Sequence, residues 1–134
     1  MVVLTICAAT LHLIKRKGNS IWISLSDAFL SIVAIPGKPE LLKVRARRSG
    51  DIERIFPDAD VQRTPGRDYL YRTELPRANV SRAIANRLDA IDYDNFKNSV
   101  DDDRLHSAYS SVWSTMSRLQ ELPPYAGGRA KESA

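Results

Sequence analysis

Residues 29–47, FLSIVAIPGKPELLKVRAR, decide the fold class. The first seven are almost continuously apolar and rich in β-branched side chains, as a strand covered on both faces requires. Pro36-Gly37-Lys38-Pro39 ends that strand, because proline has no amide to give a ladder and Pro-Gly favours a turn. Residues 41–47 then alternate, with Leu42, Val44 and Ala46 on one face and Lys43, Arg45 and Arg47 on the other. The whole stretch reads as an antiparallel hairpin with one positively charged face.

Upstream, Ile21, Ile23 and Leu25 alternate with Trp22, Ser24 and Ser26, predicting a further strand that closes at a Ser26-Asp27 turn. Residues 2–14 (VVLTICAATLHLI) are an apolar run too short to span a membrane. They also make a poor signal peptide, since the basic triplet Lys15-Arg16-Lys17 follows the run instead of preceding it. Their β-branched content suits a strand.

Downstream, Ser49-Gly50-Asp51 opens a short helix, where a serine or aspartate can cap the free amides and an acid suits the positive end of the helix dipole. Ile52, Ile55 and Phe56 share its inner face and Pro57 ends it. Residues 67–75 (RDYLYRTEL) alternate as a strand, with Tyr69, Tyr71, Thr73 and Leu75 on one face and Asp68, Leu70, Arg72 and Glu74 on the other. On that strand Asp68 and Arg72 stand roughly 13 Å apart, so each is expected to find another partner.

The rest is helical. Pro76 suits a first helical turn, and Val80, Ile84, Leu88 and Ile91 form an apolar stripe. Asp92 is expected to cap a short helix over residues 93–100, with Tyr93 and Phe96 wedged inward and Asn95 and Lys97 facing solvent. Asp101-Asp102-Asp103 caps a last helix whose stripe is Leu105, Tyr109, Val112, Trp113, Met116 and Leu119, and Pro123-Pro124 stops it.

These pieces predict an α+β domain, with a small mixed or antiparallel sheet of three to five strands and helices on one face. The strand–helix–strand run over residues 41–75 also permits a right-handed parallel crossover, which makes a ferredoxin-like sheet the alternative. Residues 1–20 form an N-terminal apolar and basic extension or edge strand, 21–122 a single domain, and 123–134 a flexible tail. A chain of 134 residues holds one core.

Composition excludes several classes of function. Cys7 is the only cysteine, so no disulfide framework or multi-cysteine metal site is expected, and a reducing, cytoplasmic setting follows. No GxSxG, HExxH, P-loop or GxGxxG string occurs. Catalytic, metal and cofactor sites are accordingly expected to be none. Asp92 and Asp94 fit the first positions of a calcium loop, but Phe96 takes the third and no glycine follows. The histidines, His12 and His106, need tertiary proximity to become a base for Cys7 or a serine, and His106 lies off the last helix's apolar stripe.

The net charge of +4 is unevenly placed. The first 50 residues carry eight Lys and Arg against Asp27 and Glu40, whereas the remainder is slightly acidic. Arginine outnumbers lysine 14 to 6, and arginine grips phosphate or carboxylate through paired hydrogen bonds. Two tyrosines, Tyr69 and Tyr71, two apart on a strand, are either core packing or a base-stacking platform of the kind that holds single-stranded RNA. Lys43, Arg45, Arg47, Arg48 and Arg72 are then the phosphate-neutralising partners. What separates the two readings is whether the tyrosines share a face with Arg45 and Arg47.

The strings GDIERIFPDADV (50–61), RDYLYRTELPRANV (67–80), IDYDNFKNSV (91–100) and AYSSVWSTM (108–116) resemble a family of short, uncharacterised bacterial proteins. The resemblance covers about residues 29–120 and implies no activity, ligand or site.

The sequence therefore favours a small non-catalytic binding module whose basic hairpin face takes an anionic partner, single-stranded nucleic acid foremost. The alternative is a protein-interaction or regulatory factor, whose partner covers Trp22 or the N-terminal strand, or which self-associates to a homo-oligomer through edge-to-edge pairing of residues 2–14. An enzyme using Asp51, Asp68, Arg72 or Asp92 carries least weight. No membrane partner is expected.

Overall fold

The computed structural model describes residues 20–127. The sequence expectations for residues 2–14, Cys7, His12, the Lys15–Lys17 triplet and the last seven residues lie outside them.

The hairpin forms as read. β1 (Ile21–Ser24), β2 (Phe29–Ala34) and β3 (Leu41–Ala46) make an antiparallel meander. Between β2 and β3, Pro36 and Gly37 form the turn, with Gly37 at φ 78° and the Lys38 amide donating to the Ile35 carbonyl at 3.1 Å. Only glycine reaches that φ without strain.

After β3 comes α1 (Asp51–Ile55), then β4 (Gln62–Arg63) and β5 (Tyr71–Pro76). The sheet order is β1-β2-β3-β5-β4, with every neighbouring pair antiparallel. The α+β class holds, and the parallel crossover is not taken: the connection through α1 and β4 returns the chain antiparallel beside β3. β4 went unread because two exposed residues offer no alternation. The turn at Pro65-Gly66 nevertheless joins it to β5, with the Thr64 amide and hydroxyl donating to carbonyls at Leu70 and Tyr69.

Register assigns the faces. Leu42 faces Leu75, Val44 faces Thr73 and Ala46 faces Tyr71, so these side chains share the surface that carries Leu30 and Ile32. α1 and α2 (Arg77–Asp89) cover it. Ile52, Ile55, Phe56 and Val80 complete this core, and Tyr71, Leu75 and Ala83 pack against it.

α3 (Asp103–Ser117) lies elsewhere. Its Leu105 and Tyr109 form a second cluster with Val100, Phe29 and Phe96. Phe29 stands one residue from Leu30 and so projects from the opposite sheet face. The Tyr109 hydroxyl donates to the Leu25 and Ala28 carbonyls in the β1–β2 turn, at 2.9 and 2.8 Å.

The helical stripes are only partly used. Val80 is the buried member of the α2 stripe, whereas Leu88 and Ile91 are exposed. Leu105 and Tyr109 are buried in α3, whereas Val112, Trp113, Met116 and Leu119 are exposed. Before α3 the expected helix over residues 93–100 shrinks to one 3-10 turn, Lys97–Ser99. Asn95, not Asp92, caps it, its side-chain oxygen accepting from the Lys97 and Asn98 amides. Lys97 does not point simply to solvent, since its ammonium stands 4.5 Å from the centroid of the Trp113 ring. Asp102 caps α3 as expected, its carboxylate accepting from the Leu105 amide at 2.8 Å.

Candidate functional site

A cleft of about 400 Å³ opens between α3 and the sheet face opposite the main core. Trp22 and Phe29 enter from β1 and β2, Arg47 and Arg48 from the end of β3, and Tyr69 from the approach to β5. Arg104, Leu105, Ala108, Tyr109 and Val112 line it from α3. Most of the lining is apolar or aromatic, and three guanidiniums stand among these walls.

Asp51 anchors the cleft. Its carboxylate is 1% exposed and accepts from the Phe29 amide at 3.2 Å, from Arg48 at 2.9 and 3.2 Å, and from Arg54 at 2.9 Å. The expected cap role for Asp51 or Ser49 is not what forms: Gly50, at φ 88°, holds the N-cap position without a side-chain bond. Asp51 instead ties β2, the end of β3 and α1 together. Arg48 also reaches the Asp27 carbonyl at 3.3 Å and the Asp102 carboxylate at 3.2 Å, which joins β3 to the start of α3. The Asp51 hydrogen bond raises the Arg48 pKa above its ordinary value against the opposing effect of burial, so Arg48 stays cationic. At Asp102 the Leu105 amide, assisted by Arg48 and Arg104, outweighs desolvation and holds the carboxyl below its usual range.

A second cluster lies beside Tyr69. Residues 67–70 do not extend β5 but fold back before it, so the expected strand over 67–75 begins only at Tyr71. Two consequences follow. First, Asp68 and Arg72 pair directly, contrary to the spacing expected of an extended strand. Second, the tyrosines part company: Tyr71 joins the main core, whereas the ring of buried Tyr69 receives the guanidiniums of Arg45 and Arg47 at 4.6 and 4.3 Å from its centroid. Tyr71 is therefore no part of a binding platform on this face.

The expected site residues thus divide. Arg45, Arg47, Tyr69 and Arg72 come together. Arg45, with its side chain 17% exposed, donates to the Ser31 hydroxyl at 2.7 Å and pairs with Asp68 at 3.5 Å. Arg72 donates to the Tyr69 carbonyl at 3.2 Å in addition to Asp68. Both are consumed by the fold. Desolvation pushes the Asp68 carboxyl up, but the Tyr69 amide, Arg45 and Arg72 together win and hold it below the ordinary carboxylate range. Lys43 turns away to Glu74, at 3.9 Å.

Arg47 is exposed and donates to the Asp68 carbonyl at 2.9 Å. Among the described residues, Arg47 and Arg104 are the cleft arginines that meet no carboxylate within 4 Å. Arg104 and the α3 wall escaped sequence reasoning because no local signal says which strand end a helix will cross. The Arg48–Asp102 ion pair that fixes the crossing joins residues 54 apart.

Among the described residues, no three or more His, Cys, Asp or Glu side chains gather as metal ligands, and no helix is long and apolar enough to cross a membrane. No protein-family model, curated protein or solved structure matches the chain.

Proposed function

We propose that the protein is a non-catalytic binding module for single-stranded nucleic acid, with the cleft under α3 as its site. One observation carries this reading: an exposed tryptophan and two arginines without carboxylate partners among the described residues open onto the same aromatic-walled cleft. Trp22, 71% exposed, offers a ring face for a base. Arg47 and Arg104 offer guanidiniums for the phosphates on either side. Arg45 and Arg72 hold Asp68 and position Tyr69 from behind. The resemblance to short bacterial proteins adds no activity to this reading.

Fluorescence anisotropy of labelled ten-nucleotide oligomers tests it. Affinity should fall with salt by a log–log slope of about −0.7 for each phosphate neutralised. Reversing Arg47 and Arg104 together to glutamate should abolish binding, while the folded state remains measurable by circular dichroism. Absence of binding at 50 mM salt, or binding indifferent to salt and to the double reversal, would sink the proposal.

A further inference from the structure

α3 tightens before the chain leaves it. The amides of Arg118, Leu119 and Gln120 donate to the carbonyls of Thr115, Met116 and Ser117, three residues back, at 3.3, 3.0 and 3.2 Å. Bonds of that span give three residues per turn, so Met116 and Leu119 stand in line along the helix. Trp113 lies one turn before Met116 on the same side. Further on, the Ala126 amide donates to the Pro123 carbonyl at 3.1 Å and closes a turn that carries Tyr125. An apolar side chain thus recurs every third residue, at Trp113, Met116, Leu119, Leu122 and Tyr125, and all five are exposed.

The row is large for a surface that faces only water. Leu119 is 77% exposed, Leu122 72% and Tyr125 86%, and with Trp113 and Met116 the row presents roughly 600 Å², the upper end for an apolar patch on a monomer. Two such rows face to face would bury roughly 1,200 Å², which clears the ~1,000 Å² that a specific interface needs.

The row is also complementary to itself. Counted from Leu119 it reads alike in both directions, with an aliphatic side chain at three residues (Met116, Leu122) and an aromatic at six (Trp113, Tyr125). A two-fold axis at Leu119 sets Trp113 toward Tyr125 of the second copy and Met116 toward its Leu122. Arg118 and Glu121 are the only charged residues from 111 to 127, and neither meets an opposite charge within 4 Å among the described residues. Antiparallel pairing about Leu119 brings each Arg118 within one residue of the other copy's Glu121. Parallel pairing would set like charges against each other.

We propose that residues 113–125 are the interface of a two-fold dimer, with a second copy of this chain seated antiparallel on the row. Symmetry favours that occupant, since an unrelated partner requires no palindromic spacing. The proposal stands apart from nucleic-acid binding, because none of the five apolar residues lines the cleft.

Light scattering on the full chain tests it, at concentrations up to about 100 μM. A dimeric mass is expected, and Leu119→Glu should weaken association at least about tenfold with an unchanged circular dichroism spectrum, because the side chain it replaces is exposed. Arg118→Glu and Glu121→Arg should each weaken association by about fivefold, and the double exchange should restore it. A monomer throughout would overturn the proposal; slow hydrogen exchange over residues 113–125 in that monomer would assign the row to another part of the same chain. A dimer indifferent to Leu119→Glu would overturn it by placing the interface elsewhere. Failure of the double exchange to restore association would overturn the antiparallel register.

Discussion

The guanidinium of Arg47 stands 4.3 Å from the centroid of the Tyr69 ring. Arg45 shares the same ring at 4.6 Å, so one buried aromatic holds two cations in place. Tyr69→Phe retains the ring and should change stability by less than about 0.5 kcal/mol. Tyr69→Leu loses both cation–π contacts and should cost about 1–2 kcal/mol. Urea titration of the two variants separates them, and equal losses would contradict the assignment.

Asp51 meets two arginines and a backbone amide with almost no exposure. Asp51→Asn keeps an acceptor for the Phe29 amide but leaves Arg54 without its counter-charge and Arg48 with Asp102 alone. Both arginines are partly exposed and can rehydrate, so the loss should fall at or below the roughly 3 kcal/mol lower bound for a broken buried pair. Urea midpoints of wild type and variant measure it.

Tyr109 couples α3 to the β1–β2 turn. Burial, with Asp51 nearby, raises its pKa to about 12. An unfolded tyrosine ionises near 10. Between those values the unfolded chain loses a proton that the folded chain retains, so stability is full below pH 10 and declines from 10 to 12. Tyr109→Phe should cost about 1 kcal/mol at neutral pH by removing the hydroxyl that serves the part-buried Leu25 carbonyl, while the Ala28 carbonyl keeps the Leu25 amide at 2.8 Å. The gap between variant and wild type should then narrow above pH 10. Urea midpoints at pH 7 to 11.5 provide the comparison.

Asp68 behaves in the opposite sense. Its folded carboxyl is held below the ordinary value, so its stabilising contribution is present above that value and is lost as pH falls through the folded pKa. The carboxylate is exposed, which keeps the effect small. Asp68→Asn should be less stable than wild type at pH 6, and the two should converge toward pH 2. Midpoints that stay apart at low pH would assign the loss to packing.

Trp22→Ala should separate binding from folding. The ring is mostly exposed, so stability should fall by under about 1 kcal/mol. One lost base stack should weaken oligonucleotide binding by roughly tenfold. Anisotropy and thermal melting on one preparation give both values.

Legibility in the sequence followed the range of the interactions. The β1–β2–β3 meander, the Pro36-Gly37 turn and the Asp102 cap depend on neighbours a few residues apart, and alternation or capping chemistry reveals them. The fold-back of residues 67–70 was hidden, because RDYLYRTEL alternates perfectly well as a strand. Asp68 between Arg45 and Arg72, Tyr69 under Arg45 and Arg47, and the Thr64 bonds to the Tyr69 and Leu70 carbonyls hold that stretch aside. The same displacement sends Tyr71 to the core and Tyr69 to the cleft.

By itself, then, the sequence determined an antiparallel hairpin with one cationic face, an α+β class and a basic N-terminal third. The tertiary structure decided which cations are spent and which are left. Arg45, Arg48 and Arg72 are consumed by Asp68, Asp51 and Asp102, while Arg47 and Arg104 are brought to one cleft with no carboxylate partner among the described residues. The reason is distance along the chain. Periodicity reports the face on which a residue falls, but Arg45–Asp68 and Arg48–Asp102, 23 and 54 residues apart, meet only when packing sets the elements side by side, and the local Arg72–Asp68 pair forms only because residues 67–70 leave the strand.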